Sequence, residues 1–496
     1  MKIHVVATDA SAYNASVLLL FAPHIAWSEQ LSLHPLNEVL QGALAEVFSS
    51  DFAGKTGETA LLYTRGTLPT TRILLVGLGQ RQGLTADALR RAAAVAVQKA
   101  RTMSLTHVAA LLPDVGLSVS DTAEAIVEGA LLGLYRYQGL KSTPDTITAI
   151  EQFDVLTKEA EAASDGVRIG QAIADGTNLA RELANTPPNI CTPDYLASQA
   201  EKMAKANDLT VSILKRKQIE ALKMGALLAV AQGSANPPRF IILEHRPEGT
   251  ENQAPIVLVG KGVTFDTGGY SLKTGEGMLG MKMDMSGGAA VIGAMHVISR
   301  LEWPIAVVGL IPAADNMVDE RAYQPTDVIT ASNGKTIEII STDAEGRLLL
   351  ADALVYAKRY TPVAVIDIAT LTGAVLTALG NVAAGVFSTD AALTHDLQQA
   401  GEATYERVWE LPMHPEFQKL IESDSADLKN SSTAKMAGAS VGAIFLKNFI
   451  DYPAWAHIDM AGKMTSEGDL PYAPKGASGY GVRLLAEFVR RRIKSE

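Results

Sequence analysis

A single cysteine, Cys191, is present among 496 residues, so no intrachain disulfide can form. A reducing, cytoplasmic setting suits such a chain best. The nine histidines are scattered, with no His-Glu-x-x-His and no paired spacing. A histidine-ligated zinc site is therefore not expected, and each histidine reads as a surface or hydrogen-bonded core residue. Basic residues are the minority, 43 Lys and Arg against 54 Asp and Glu, for a net charge of −11. That balance argues against nucleic acid as an obligatory partner of the whole surface. The start, MKIHVVATDASAYN, has one lysine and is broken by Asp9, which makes a poor signal peptide. Long uncharged runs are also scarce. Val363 to Phe387 is the best of them, with only Asp367 charged, but three threonines and three glycines interrupt it. A buried strand at Val363–Ile368, a glycine-broken loop and a further buried element are expected there, not a membrane span.

What the chain does have is length and alternation. Its length exceeds a comfortable single core, so two domains are expected. Over the first 160 residues, apolar runs at Ser16–Phe21, Arg72–Gly77 and Val108–Leu112 alternate with helical stretches such as Ala86–Arg101, an α/β pattern with its own core. Residues 161–186 read as a connecting helix, stopped by Thr-Pro-Pro-Asn at 186–189. From 187 to 496 the strands lengthen: Ile256–Gly260, Ile305–Ile311, Val363–Ile368 and Ala456–Met460, with helices at Gly287–Arg300 and Arg347–Lys358. The expected fold class is α/β throughout, with a smaller N-terminal domain. The larger C-terminal domain should carry a central, mostly parallel sheet covered by helices. Functional loops should collect at the carboxyl ends of its strands, where Lys261–Asp266 falls.

Three motifs invite over-reading. Gly77, Gly79 and Gly83 follow a strand, but the third glycine is one residue late for a dinucleotide fingerprint and no acidic residue follows at about 20 residues. Gly260-Lys261 lacks the upstream glycine and the following Ser or Thr of a phosphate loop. Cys191, in a loop between Asn189 and Pro193, reads as a packed thiol rather than a nucleophile.

The informative feature is a charge cluster split over two segments. Residues 260–288 hold Lys261, Asp266, Lys273 and Asp284 among nine glycines, and residues 341–350 read Ser-Thr-Asp-Ala-Glu-Gly-Arg-Leu-Leu-Leu. Gathering Asp266, Asp284, Asp343 and Glu345 in a half-buried cleft is costly unless something neutralises them. Two divalent cations would do so, and oxygen-rich ligands suit Mn²⁺, Mg²⁺ or Zn²⁺. This points to a two-metal hydrolase. The i, i+2 spacing of Asp343 and Glu345 would put both on one side of an extended segment, with Glu345 opening the next helix at the positive end of its dipole. Lys282 reads as an ordinary surface ion pair.

The segments GKGVTFDTGGYSLK…MKMDMSGGAA and TDAEGRLLLADAL closely resemble the leucyl aminopeptidase (cytosol aminopeptidase) family, as do NTPPNICTP, DNMV, QPTDVI, DIATLTGA and WAHIDMAG. The resemblance covers residues 180–490, with the N-terminal region similar only in general character. It implies a metal-dependent exopeptidase that removes an N-terminal residue, preferably Leu or Met, through a water bridging two metals. Lys261, Asp266, Asp284, Asp343 and Glu345 would hold the ions, with Asp266 and Glu345 bridging. Lys261 and Asp284 would form the tighter site and Asp343 the more exchangeable one. Lys273 and Arg347 match the family's catalytic pair, Arg347 with a bound bicarbonate. Met281, Thr370, Gly373, Ala461 and Met464 fall where the family lines its pocket for the first side chain. Mn²⁺ is the expected metal, with Zn²⁺ or Mg²⁺ as alternatives, and peptides with a free N-terminus are the expected substrates. A cytoplasmic homohexamer is also implied. Some bacterial members bind DNA as accessory factors, an additional role that the acidic charge here does not favour. Of two departures from the family, Gly287-Gly288 in place of a Gly-Ala pair seen in some members is innocuous, but Ser341 stands where the family usually has Asn, so loop geometry or metal affinity, rather than reaction type, is in question.

Overall fold

In the first part of the chain, Val17, Leu19 and Phe21 turn to one face of a strand while Leu18, Leu20 and Ala22 turn to the other, and all six are buried. A strand buried on both faces must be covered on both, and it is. Helices Ala86–Thr102 and Val119–Leu134 pack on one side, and the short helices His34–Val39 and Ala43–Ser50 on the other. The computed structural model of the protein describes residues 1–143 and 148–495. Its first unit comprises Met1–Asp175 and Glu467–Pro474. The six-stranded sheet there runs Lys2–Ala7, Gln152–Thr157, His107–Leu111, Val17–His24, Arg72–Gln80 and Thr59–Tyr63, parallel except for the last pair. Gly77 lies inside the fifth strand in this order, where a Cβ would come 2.0 Å from the Lys55 carbonyl oxygen. A close backbone approach accounts for that glycine without a cofactor.

The second unit comprises Gly176–Ser466 and Lys475–Glu496. Helix Ala160–Asn185 runs through the division between the two units. The main sheet is ordered Val408–Glu410, Ala384–Ser388, Trp455–Asp459, Ala364–Ala369, Ile256–Gly260, Val307–Asn316, Arg239–His245, Thr210–Leu214. Its centre is parallel, and antiparallel strands flank it on both sides. Val257, Val259, Val308, Leu310 and Val365 share a core with Leu348–Leu350 and Leu354 of helix Gly346–Ala357. Helix Ser286–Arg300 also packs on these central strands.

Segment Val363–Phe387 folds as strand Ala364–Ala369 and helix Gly373–Leu379, and ends within strand Ala384–Ser388. Among the described residues no helix is long and apolar enough to cross a membrane. Two local expectations are corrected. Gly262–Asp266 is not a loop but a strand, paired in parallel with Val307–Asn316. Residues 341–345 form a turn, closed by Ala344 N–H to Ser341 O at 3.3 Å, rather than an extended segment.

Candidate active site

The parallel strands deliver Lys261, Asp266, Asn316, Thr370 and Asp459 to one end of the sheet. Close backbone packing makes room for the first of these. A Cβ on Gly287 would come 2.1 Å from Ile368 O and 3.0 Å from Lys261 N, so the start of helix Ser286–Arg300 backs directly onto the strand end. That contact sets Asp284, two residues before the helix, beside Lys261. A Cβ on Gly346 would come within 2.8 Å of Lys261 Nζ, so the helix opened by Glu345 also yields space to the lysine.

Lys261 Nζ then lies 2.7 Å from Asp284 Oδ1, 2.8 Å from Glu345 Oε1 and 2.9 Å from Thr370 O. Thr370 Oγ1 donates to Asp284 Oδ1 at 2.7 Å. Lys273 Nζ sits 2.8 Å from Asp266 Oδ2 and also pairs with Asp343 Oδ1. Asp266, Asp343 and Glu345 each present an oxygen within 4.8 Å of the others; Asp343 is exposed and the other two are buried. The structure thus brings together all four carboxylates and both lysines of the expected set.

The electrostatics show what this gathering costs. Burial and the neighbouring carboxylates push Asp284 and Glu345 above the ordinary carboxylate range, with Lys261 pulling the other way. Burial also raises Asp343. Burial of Lys261 opposes its charge, but Asp284, Glu345 and Asp266 outweigh that and hold it above the usual lysine range. Lys273 is raised in the same way, against burial, by Asp266 and Asp343. Four carboxylates against two ammonium groups leave an excess of negative charge. Asp284 Oδ2 and Glu345 Oε2 are buried with no hydrogen-bond partner, the condition that cations would relieve. This donor set fits divalent metal ions.

Polar residues with distant partners hold the carboxylates in place. Asn316 Nδ2 donates to Asp266 Oδ1 at 2.8 Å and to Thr342 O at 2.9 Å. Thr342 Oγ1 donates to Gly268 O at 2.6 Å and accepts from Ser271 N–H at 2.7 Å, which knits the 341–345 turn to the loop carrying Lys273. Ser341 Oγ accepts from Asp343 N–H at 3.2 Å, so the shorter side chain still closes its turn. Asn430 holds that turn from the other side through Ile340 N, Ser341 N and Ser341 O. Asn316 and Thr342 lie within DNMV and TDAEGRLLLADAL, two of the family-like stretches, whereas Asn430 lies outside them and does not stand out by residue type.

Arg347, in the first turn of helix Gly346–Ala357, is buried and donates to Asn430 O at 2.7 Å, while its Nε has no partner. Burial lowers its pKa to about 10, which leaves it a cation at neutral pH. It lines a cavity of about 650 Å³ together with Asp343, Gly373, Ser431 and Lys435. Met281, Thr370, Ala461 and Met464 do not line that cavity. Met281 starts a short helical turn packed beside strand Gly262–Asp266, and Ala461 packs near Val375 and Phe387. Met464 is half-buried, its carbonyl accepting from Ser478 N–H at 3.1 Å.

Other expectations resolve simply. Lys282 is part-buried and donates to Asn185 O at 2.6 Å, and among the described residues it makes no ion pair, contrary to the expectation of a surface pair. Cys191 is buried and its thiol is pushed up to about 12, as for a packed side chain. Among the described residues the cluster consists of carboxylates and lysines. His457, however, is not a fully satisfied core residue: its Nδ1 pairs with Asp367 at 2.5 Å, but its buried Nε2 has no partner.

A parallel-centred sheet whose strand ends gather four carboxylates and two lysines in this way fits a metal-dependent enzyme of α/β architecture. Residues 178–486 match the model of the catalytic domain of the cytosol aminopeptidase family, and residues 17–144 match that of its N-terminal domain. The chain belongs to the cytosol aminopeptidase family, whose members are metal-dependent exopeptidases. It is 43% identical over 498 residues to a probable cytosol aminopeptidase of Roseiflexus castenholzii, covering 99% of each chain. It is 46% identical over 460 residues to a probable cytosol aminopeptidase of Geotalea uraniireducens, covering 92% of each. Among solved structures it resembles a mutant tomato leucine aminopeptidase, with a TM-score of 0.89 and 34% identity over 99% of this chain and 96% of that one. It also resembles the bottromycin maturation enzyme BotP in complex with Mn, with a TM-score of 0.85 and 33% identity over 97% of this chain and 100% of that one.

Proposed function

We propose that this enzyme is a two-metal aminopeptidase that removes an N-terminal residue, preferably Leu or Met, from peptides. The observation that carries this reading is the convergence of four carboxylates around Lys261 and Lys273, with two buried carboxylate oxygens unpartnered. Asp266, Asp284, Asp343 and Glu345 would hold the ions, joined by Lys261 once the charge of a bound ion displaced its proton, with Asp343 at the more exchangeable position. When bound, divalent ions supply a water ionised near neutral pH, polarisation of the scissile carbonyl and a docking point for a free α-amine. Mn²⁺ is favoured by the donor set and by the likeness to a Mn-bound enzyme.

The protein groups supply the rest. Lys273 is a partly exposed ammonium at the edge of the cluster, able to donate to the scissile carbonyl and stabilise the charge that develops on it. Arg347 remains protonated and cannot act as a base; its unpartnered Nε suits a bound oxyanion such as bicarbonate. Met281, Thr370, Gly373, Ala461 and Met464 would form the pocket for the first side chain. Protein reconstituted with Mn²⁺ should cleave leucine amide and leave N-acetyl-leucine amide intact, since acetylation removes the amine. Equal cleavage of both would count against an exopeptidase that reads the free N-terminus.

A further inference from the structure

Asp459 ends strand Trp455–Asp459, is completely buried, and receives four hydrogen bonds from two separate segments. Its Oδ1 accepts from Leu371 N–H at 3.1 Å, Thr372 N–H at 3.3 Å and Ala461 N–H at 3.3 Å. Its Oδ2 accepts from Thr372 Oγ1 at 2.6 Å. Thr372 is itself the N-cap of helix Gly373–Leu379, accepting from Val375 N–H at 3.3 Å. One carboxylate therefore ties the segment that follows Thr370 to the segment that begins at Ala461. The residue before this clasp is tied the other way: Thr370 O accepts from Lys261 Nζ and Thr370 Oγ1 donates to Asp284 Oδ1. Residues 370–372 thus form a bridge, anchored at one end by two candidate metal ligands and at the other by Asp459.

We propose that Asp459 is a positioning residue for substrate selection. It holds Thr370–Gly373 and Ala461 in a fixed relation to Lys261 and Asp284, so that the wall for the first side chain and the reacting centre share one frame. This rests on the aminopeptidase reading above. Asp459 acts through Thr372 and the backbone of residues 371, 372 and 461. The carboxylate accepts all four bonds, and its charge strengthens each of them. An asparagine can keep its Oδ1 on the three N–H groups only by turning its NH₂ on Thr372 Oγ1, which must then accept instead of donate, and the remaining bonds lose the charge that strengthened them.

The test compares Asp459→Asn, Thr372→Ser and Thr372→Val with the wild type, each loaded with Mn²⁺ and with metal content measured. Rates on leucine and alanine amides are read together with amide hydrogen exchange over residues 370–376 and 460–464. Asp459→Asn should lower kcat/KM for leucine amide by about tenfold or more. The leucine-to-alanine preference should fall at least threefold in that variant, on the order of one lost wall contact, and metal content should match the wild type. Thr372→Ser, which keeps the hydroxyl, should retain the preference, while Thr372→Val should lose it in the same direction as Asp459→Asn. Exchange should quicken in the two segments together. Unchanged preference and unchanged exchange in both Asp459→Asn and Thr372→Val would overturn the proposal. Should Asp459→Asn not fold, Thr372→Val decides it by the same two readouts. Should the wild type cleave neither amide, the aminopeptidase reading fails, and hydrogen exchange alone decides the clasp: faster exchange in both segments supports it, unchanged exchange overturns it.

Discussion

Lys261 Nζ lies 2.7 Å from Asp284 Oδ1, with the two side chains only 3% and 7% exposed. Removing one partner of such a pair strands the other in a poorly solvated interior, at a cost of about 3–5 kcal/mol. Here Glu345 would be stranded too, since its Oε1 is held by the same amine. Lys261→Ala should therefore lower the stability of the chelated protein by about that amount in urea denaturation. It should also fail to retain its full complement of metal. A variant with wild-type stability and wild-type metal content would show that Lys261 neither balances the carboxylates nor serves as a ligand.

Lys273 is expected to behave differently, because it meets the cluster from the partly exposed side. Lys273→Ala should lower kcat by about 10²–10³, the usual loss for one oxyanion donor, while metal content stays near that of the wild type. Steady-state kinetics and metal analysis on the same samples check this. If Lys273→Ala lost metal and Lys261→Ala lost only kcat, the two roles would have to be exchanged.

Asp352 offers a pH signature away from the acidic cluster. It is completely buried, it accepts from Leu227 N–H at 2.9 Å and Ser332 N–H at 2.7 Å, and burial raises its pKa to about 6 despite those bonds. A carboxyl raised above its unfolded value of 3.8 binds its proton more tightly in the folded chain. Its contribution is therefore complete below about pH 3.8 and lost as pH rises through about 6, on the order of 3 kcal/mol in all. Asp352→Asn should be less stable by about 1–3 kcal/mol through the mismatched acceptor. Across pH 4–7 its stability, relative to the wild type, should improve as pH rises. A constant difference between the two proteins over that range would contradict the assignment.

Specificity follows from the uncharged pocket candidates Met281, Thr370, Gly373, Ala461 and Met464. Burying a substrate Asp there leaves an ion without a partner, whereas a leucine side chain gains about 1.5–3 kcal/mol. Leu- and Met-amides should exceed the Asp-amide by at least about 10²-fold in kcat/KM. Comparable values for Leu and Asp would mean that other residues receive the first side chain, such as those around the cavity shared by Arg347 and Lys435.

Assembly is expected to be hexameric, as the family resemblance implies. Light scattering should then give about six times the chain mass of 52.5 kDa. A fully active monomer would refute it.

Much of the framework was readable in the chain because burial leaves a simple signature. Ile256–Gly260 is an uninterrupted apolar run and is a strand over those five residues. Gly262–Asp266 misled, since its glycine and the preceding lysine signal a loop. The glycine instead serves strand packing: a Cβ there would meet Pro312 O of the neighbouring strand at 2.7 Å. The lysines and carboxylates stand out because charge is conspicuous among glycines. Their supports do not stand out, because Asn316 and Asp266 are 50 residues apart and Asn430 and Ser341 are 89 apart. Such pairings are set by sheet order, which no local pattern encodes. The turn at 341–345 was hidden for a related reason. An i, i+2 spacing suits an extended segment equally well, and the turn is held by the bonds that Asn430 Oδ1, Ser271 Oγ and Ser341 Oγ accept from its N–H groups.

The central claim is that the acidic cluster works by holding two divalent ions. The most direct measurement is metal stoichiometry and leucine p-nitroanilide hydrolysis on one sample, before chelation, after it, and during Mn²⁺ titration. Activity should vanish on chelation and return in proportion to metal regained, reaching full rate at about two ions per chain, with Mn²⁺ at least as effective as Mg²⁺. Full activity in a sample shown to be metal-free, or full rate at one ion per chain with no second ion bound, would contradict it.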